Sequence, residues 1–141
     1  MNRIRTALVG ATLAVALGSC AGGGARAQAE EAFRSYYEAQ LARDFTAVCA
    51  VNAPETTARL LETLATKGVK APTCEDAFAA IFAEPGAAQT ADGIASSVQI
   101  QEVAVTGEDV EITWTATLDG EPRKSTNTLR RIDGRWLLVP T

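Results

Sequence analysis

The sequence predicts an α+β domain in which N-terminal helices pack on a curved antiparallel sheet of about four strands. Three observations carry that prediction. Apolar residues recur at helical spacing from Ala29 to Phe82; beyond Gly93 the period falls to two; and Asp119-Gly120 and Asp133-Gly134 stand between extended runs, where tight hairpins need residues that tolerate positive φ.

Taken in order, the chain opens on a targeting segment, residues 1–19. Arg3 and Arg5 precede the uncharged run Thr6 to Leu17 (TALVGATLAVAL), twelve residues long. Basic start, apolar middle and small residues at the end are the order of a secretory signal. A membrane-spanning helix needs about 20 apolar residues, so this run is too short to remain as an anchor. Its end, Leu17-Gly18-Ser19-Cys20, resembles the lipobox of bacterial lipoproteins. The resemblance implies that the Cys20 sulfur receives a lipid carrying acyl chains such as palmitate, and that cleavage makes Cys20 the first residue of the mature protein. The alternative is conventional cleavage after Ala25-Arg26-Ala27. Two or more acyl chains hold a protein stably at a bilayer where one does not. Residues 20–27 then form the lipidated cysteine and a Gly-rich flexible tether. Ala21, not an aspartate, follows the cysteine, so the inner-membrane retention signal of some Gram-negative lipoproteins is absent. The expected location is the outer face of the cell membrane, or the outer membrane of a Gram-negative cell.

Residues 28–141 form the domain. Gln28 to Ala42 reads as an amphipathic helix, with Ala29, Phe33, Tyr36, Tyr37 and Leu41 on its apolar side and Gln40 among the polar residues. Asp44 has the place of an N-cap for a short second helix through Cys49. Pro54 to Lys67 is a third helix, closed by Gly68, with Leu60, Leu61 and Leu64 as its buried stripe. Thr73-Cys74-Glu75-Asp76 has the form of a capping box for a fourth helix, which Pro85-Gly86 ends near Ala83. Val98 and Ile100 share one parity and Val103 and Val105 the other, so a strand here needs a bulge near Gln101-Glu102. Val110, Ile112, Trp114, Ala116 and Leu118 alternate without a fault. Pro122 is expected to delay the next strand to Arg123, and Asp133-Gly134 turns the chain into Arg135 to Val139.

The whole chain has 13 basic and 17 acidic residues, a net charge of −4; loss of residues 1–19 removes only Arg3 and Arg5, leaving 11 against 17, or −6. Such a balance repels phosphate backbones, so no nucleic-acid partner is expected. Histidine is absent, which removes the commonest general base and the commonest transition-metal ligand. No cofactor and no metal site is expected. With Cys20 lipidated, Cys49 and Cys74 are the two remaining thiols of an exported chain, and a Cys49–Cys74 disulfide is expected.

The opening helix AEEAFRSYYEAQLARDF, its break at Arg43-Asp44-Phe45 and the closing hairpin from Leu129 to Trp136 resemble the NTF2-like superfamily, the cone-shaped fold shared with ketosteroid isomerase and polyketide-cyclase-like (SnoaL-like) proteins. The placement of Cys49 and Cys74 is similar to that in small exported actinobacterial members. Catalytic members place an aspartate or a histidine with a tyrosine inside the cone. The carboxylates on offer here are Glu102, Asp109 and Glu111, none within an apolar run that would raise its pKa. Candidate pocket residues are Tyr37, Trp114, Ser125 and Asn127. If Leu129 faces the concave side, Ser125 and Asn127 are polar handles there; if it faces outward, they meet solvent. Three functions follow in order of preference. The first is a membrane-anchored lipoprotein whose domain binds a small apolar ligand or an envelope protein without catalysis. The second is an isomerase or dehydratase with a buried carboxylate and a tyrosine. The third is an accessory subunit of a secretion or transport assembly, which predicts an apolar patch on the sheet. No motif bears on oligomeric state.

Overall fold

Helix α1 (Ala21–Ala42) is built on the stripe that the sequence displays, with Ala29 and Phe33 fully buried and Tyr37 nearly so. The computed structural model describes residues 21–141, so the targeting segment and Cys20 lie outside the described residues. Two features of α1 depart from expectation. The stretch read as a flexible tether is helical from Ala21 onward, although each glycine in a helix costs about 1 kcal/mol against alanine. Arg26 donates to Glu30 one turn on (3.2 Å) and Ala25 packs against the main core, so tertiary contact carries a helix that composition disfavours. The buried stripe also ends on Gln40, 7 % exposed, while Leu41 stands 44 % exposed.

The helix ends at Arg43, whose backbone adopts φ 59°, and Asp44 caps α2 (Phe45–Val51) by accepting from the Ala47 N–H at 3.0 Å. Helix α3 (Pro54–Thr66) starts on its proline, and Leu64 is its buried anchor, with Leu60 and Leu61 half-buried. The Thr73 hydroxyl caps α4 (Cys74–Ala83), accepting from the Asp76 N–H at 3.1 Å and donating to the Asp76 carboxylate at 2.8 Å. Cys49 and Cys74 are joined, tying α2 to α4 over a small cluster of Ala39, Val48 and Phe78.

A fifth helix, α5 (Pro85–Ser97), was not expected. Pro85-Gly86 does end α4, but Pro85 also opens α5, because the first helical residue needs no bonded N–H. The Ala88 N–H then bonds the Glu84 carbonyl at 2.9 Å.

The strands β1 (Gln99–Thr106), β2 (Asp109–Leu118), β3 (Glu121–Ile132) and β4 (Arg135–Val139) form one open antiparallel sheet in the order β1-β2-β3-β4. The bulge falls between Ile100 and Glu102. Both tight turns carry positive φ at their two central residues, 53° and 80° at Asp119 and Gly120, 49° and 78° at Asp133 and Gly134. Pro122 lies inside β3 and not before it. Since β4 pairs only from Thr128 to Ile132, the other side of Pro122 has no strand to accept from. The register sets Trp114 opposite Ser125, Ile112 opposite Asn127 and Val110 opposite Leu129. Val110, Ile112 and Leu129 are fully buried, so the helices cover this face of the sheet. The edge strand β4 is closed by the 52–56 segment, where the Ala53 N–H and the Thr56 hydroxyl both donate to the Leu138 carbonyl, at 2.9 Å and 2.6 Å.

Candidate functional site

The C-terminal half of α1 presents Tyr36, Tyr37 and Gln40 at spacings of one, three and four, which bring all three to one side of a helix. Opposite them runs α5, whose small residues Gly86, Ala87, Thr90 and Ala91 leave the space between the two helices unfilled. Trp114 of β2 forms the floor, and Ile81 and Ile94 complete the apolar wall of a solvent-open cleft of about 530 Å³. No charged side chain lines it among the described residues.

An aromatic cluster holds this wall in place. Phe33 and Tyr37 meet edge to face with ring centres 5.1 Å apart, Tyr36 and Tyr37 likewise at 5.2 Å, and Tyr37 packs against Trp114 at 5.7 Å. The Trp114 indole donates to the Asn127 side-chain oxygen at 2.6 Å, which fixes the ring from behind. Burial pushes the Tyr36 phenol up to about 12, and burial together with the neighbouring Tyr36 raises Tyr37 further. Both phenols are therefore neutral donors at any ordinary pH. The Gln40 side chain makes no hydrogen bond among the described residues, although its main-chain oxygen receives the Arg43 guanidinium at 2.9 Å.

Tyr37 and Trp114, two of the residues singled out in the sequence, meet in this cleft. Asn127 shares their face of the sheet but serves the indole, and Ser125, on the same parity, is exposed and outside the cleft. Leu129 does face the helices. The carboxylates lie elsewhere. Glu102 and Glu111 are exposed, and Asp109 is gripped by Arg130 at 2.7 Å and 2.9 Å, which holds its carboxyl below the usual range. Trp136 is core, its indole donating to Gln28 at 3.3 Å. The residue that sequence reasoning missed is Gln40. A signal was present: it stands seven residues after Phe33 and three after Tyr37, squarely on the buried stripe.

Arg43 stands near the end of α1, pairing with Asp92 of α5 at 2.6 Å and 2.8 Å while its guanidinium lies 4.1 Å from the Phe82 ring centre. The hydrogen bond from Arg43 lowers the Asp92 pKa. This bidentate pair ties α1 to α5 at that end.

A family model of the SnoaL-like domain matches residues 29–140. Among solved structures, that of a proposed NTF2-like transpeptidase from Campylobacter jejuni aligns over 79 % of this chain and 97 % of its own, with 14 % identity and a TM-score of 0.46. No curated protein matches.

Proposed function

The chain belongs to the SnoaL-like domain family and has its NTF2-like fold, and from that premise we propose that the domain is a binding module: the cleft between α1, α5 and Trp114 takes a small, largely apolar ligand without transforming it. The observation that carries this reading is the lining itself, an apolar wall with two neutral phenols, one amide and the Thr90 hydroxyl. Such a site suits recognition: a few placed polar groups in an apolar concavity orient a ligand. Proton abstraction beside a carbonyl needs a base, and the three carboxylates proposed for that role lie away from the cleft. For the accessory-subunit reading, the outer face of the sheet offers Glu111, Thr113, Thr115 and Thr117 along β2, beside Lys124, Thr126 and Thr128 of β3, a polar surface in place of an apolar patch.

The same proposal includes an envelope address, with Cys20 as the lipid anchor. It rests on the basic, apolar and LGSC order of the first twenty residues. One series of variants tests both parts. The neutral dye Nile red should brighten on binding the wild-type domain and lose that response in Ala91→Trp, which fills the cleft; equal brightening in both would contradict the cleft as the site. Cys20→Ala should move the protein from the membrane to the soluble fraction, and continued membrane attachment would sink the anchor.

A further inference from the structure

Gln40 is an amide whose polar atoms open onto the solvent of the cleft while the rest of the residue is buried. It is 7 % exposed, it lines a largely apolar cleft beside the Tyr36 and Tyr37 phenols and Thr90, and its side chain has no hydrogen-bond partner among the described residues. A ligand that fills the cleft shuts that solvent out, so one that replaces the bonds the amide made with water is favoured over one that leaves them open. An amide offers one acceptor and two donors, so it pairs equally with a hydroxyl or a carbonyl. The phenols beside it stay protonated and can only add donation to a ligand oxygen or accept from a ligand hydroxyl. Nothing in the lining would compensate a charge. The cation nearest in sequence, Arg43, three residues after Gln40, is already held by both oxygens of Asp92 and by the Phe82 ring. Burying an ionised carboxylate against such a wall carries a heavy desolvation cost with no counter-ion to offset it.

We infer that the cleft selects an uncharged apolar molecule bearing a hydroxyl or carbonyl oxygen, which exchanges hydrogen bonds with the Gln40 amide, and that it discriminates against carboxylates of equal chain length. The inference rests on the reading of the cleft as a ligand site and names the ligand class that site takes. Gln40 is then the specificity-determining residue, and the apolar wall supplies the affinity.

The test uses three probes by calorimetry at neutral pH: 1-octanol, octanoate and toluene, on the wild-type domain and on Gln40→Leu, a replacement of similar size that removes the amide. The wild type should bind 1-octanol at least about tenfold more tightly than octanoate. Gln40→Leu should lose about tenfold in 1-octanol affinity and keep its affinity for toluene, which has no group for the amide to meet. Octanoate binding as tightly as 1-octanol, or 1-octanol binding unchanged in Gln40→Leu, would overturn the selectivity while leaving the cleft as a binding site. Failure of all three probes to bind the wild type would overturn both.

Discussion

Tyr36 and Tyr37 are the only two tyrosines of the chain, and both stand in the wall of the cleft. Their raised pKa values have a consequence for stability, because the unfolded chain ionises its phenols near pH ~10 while the folded one resists. The stability tied to this resistance is present in full below about pH 10 and is lost as pH climbs toward the folded value of about 12 for Tyr36. The loss for Tyr36 alone amounts to about 2–3 kcal/mol, a two-unit displacement at about 1.4 kcal/mol per unit. An alkaline titration followed by tyrosinate absorbance should thus show no ionisation near pH ~10 and then a steep rise coincident with loss of helix. A smooth titration near pH ~10 with helix intact would mean that the phenols are in water. Gln40 lies on the buried side of α1 despite its polarity. Sequence reading set it among the polar residues because glutamine is usually exposed, yet its spacing from Phe33 and Tyr37 already put it on the buried side. Residue type and residue position disagreed, and position won.

The elements that sequence made legible are those whose ends are written in local chemistry. Asp44 before Phe45, Pro54 after Ala53, Thr73 three residues before Asp76 and the two Asp-Gly turns each satisfy a backbone requirement within one turn of chain, and each stands where it was expected. The parity change that called for a bulge near Gln101 was equally local. The pairing of Trp114 with Ser125 could also have been counted outward from the two-residue turn at Asp119-Gly120, which makes the side of Leu129 a matter of turn geometry. Helix α5 escaped because Pro85-Gly86 is at once a stop and a start, and a run of alanine, threonine and serine shows little amphipathic contrast. The first turns of α1 escaped because glycine argues against helix, and the packing of Ala25 and Ala29 with the Arg26–Glu30 pair argues for it. At this scale the Cys49–Cys74 bond, which spans 25 residues and ties α2 to α4, should contribute about 3.5 kcal/mol through loop entropy. Urea unfolding of the Cys49→Ala, Cys74→Ala double variant checks it. A difference below about 1 kcal/mol would place the stability of the α2–α4 pair in the Val48 and Phe78 cluster instead.

At the scale of the molecule, α1 sets a polarity. Ala25 in its first turns lines a shallow cavity with the turns at Gly107 and Gly134, and its last turn is bound to α5 through Arg43 and Asp92. From Ala21 to the residues of the cleft the helix rises about 25 Å, at 1.5 Å per residue. With a lipid on Cys20, one residue before α1, the cleft would lie up to about 25 Å along the helix from the attachment point. The cleft rather than the sheet is the face on which this account depends, since the outer side of β2 and β3 is threonine and charge. The most direct measurement is a two-dimensional amide NMR titration of the domain with 1-octanol. The side-chain amide signals of Gln40 and the indole signal of Trp114 should move first, together with backbone signals of Ala87 to Ile94, while Thr113 and Thr126 on the outer face stay still. Shifts confined to the outer face of the sheet, or an unmoved Gln40 amide while other signals saturate, would contradict the Gln40 cleft as the site.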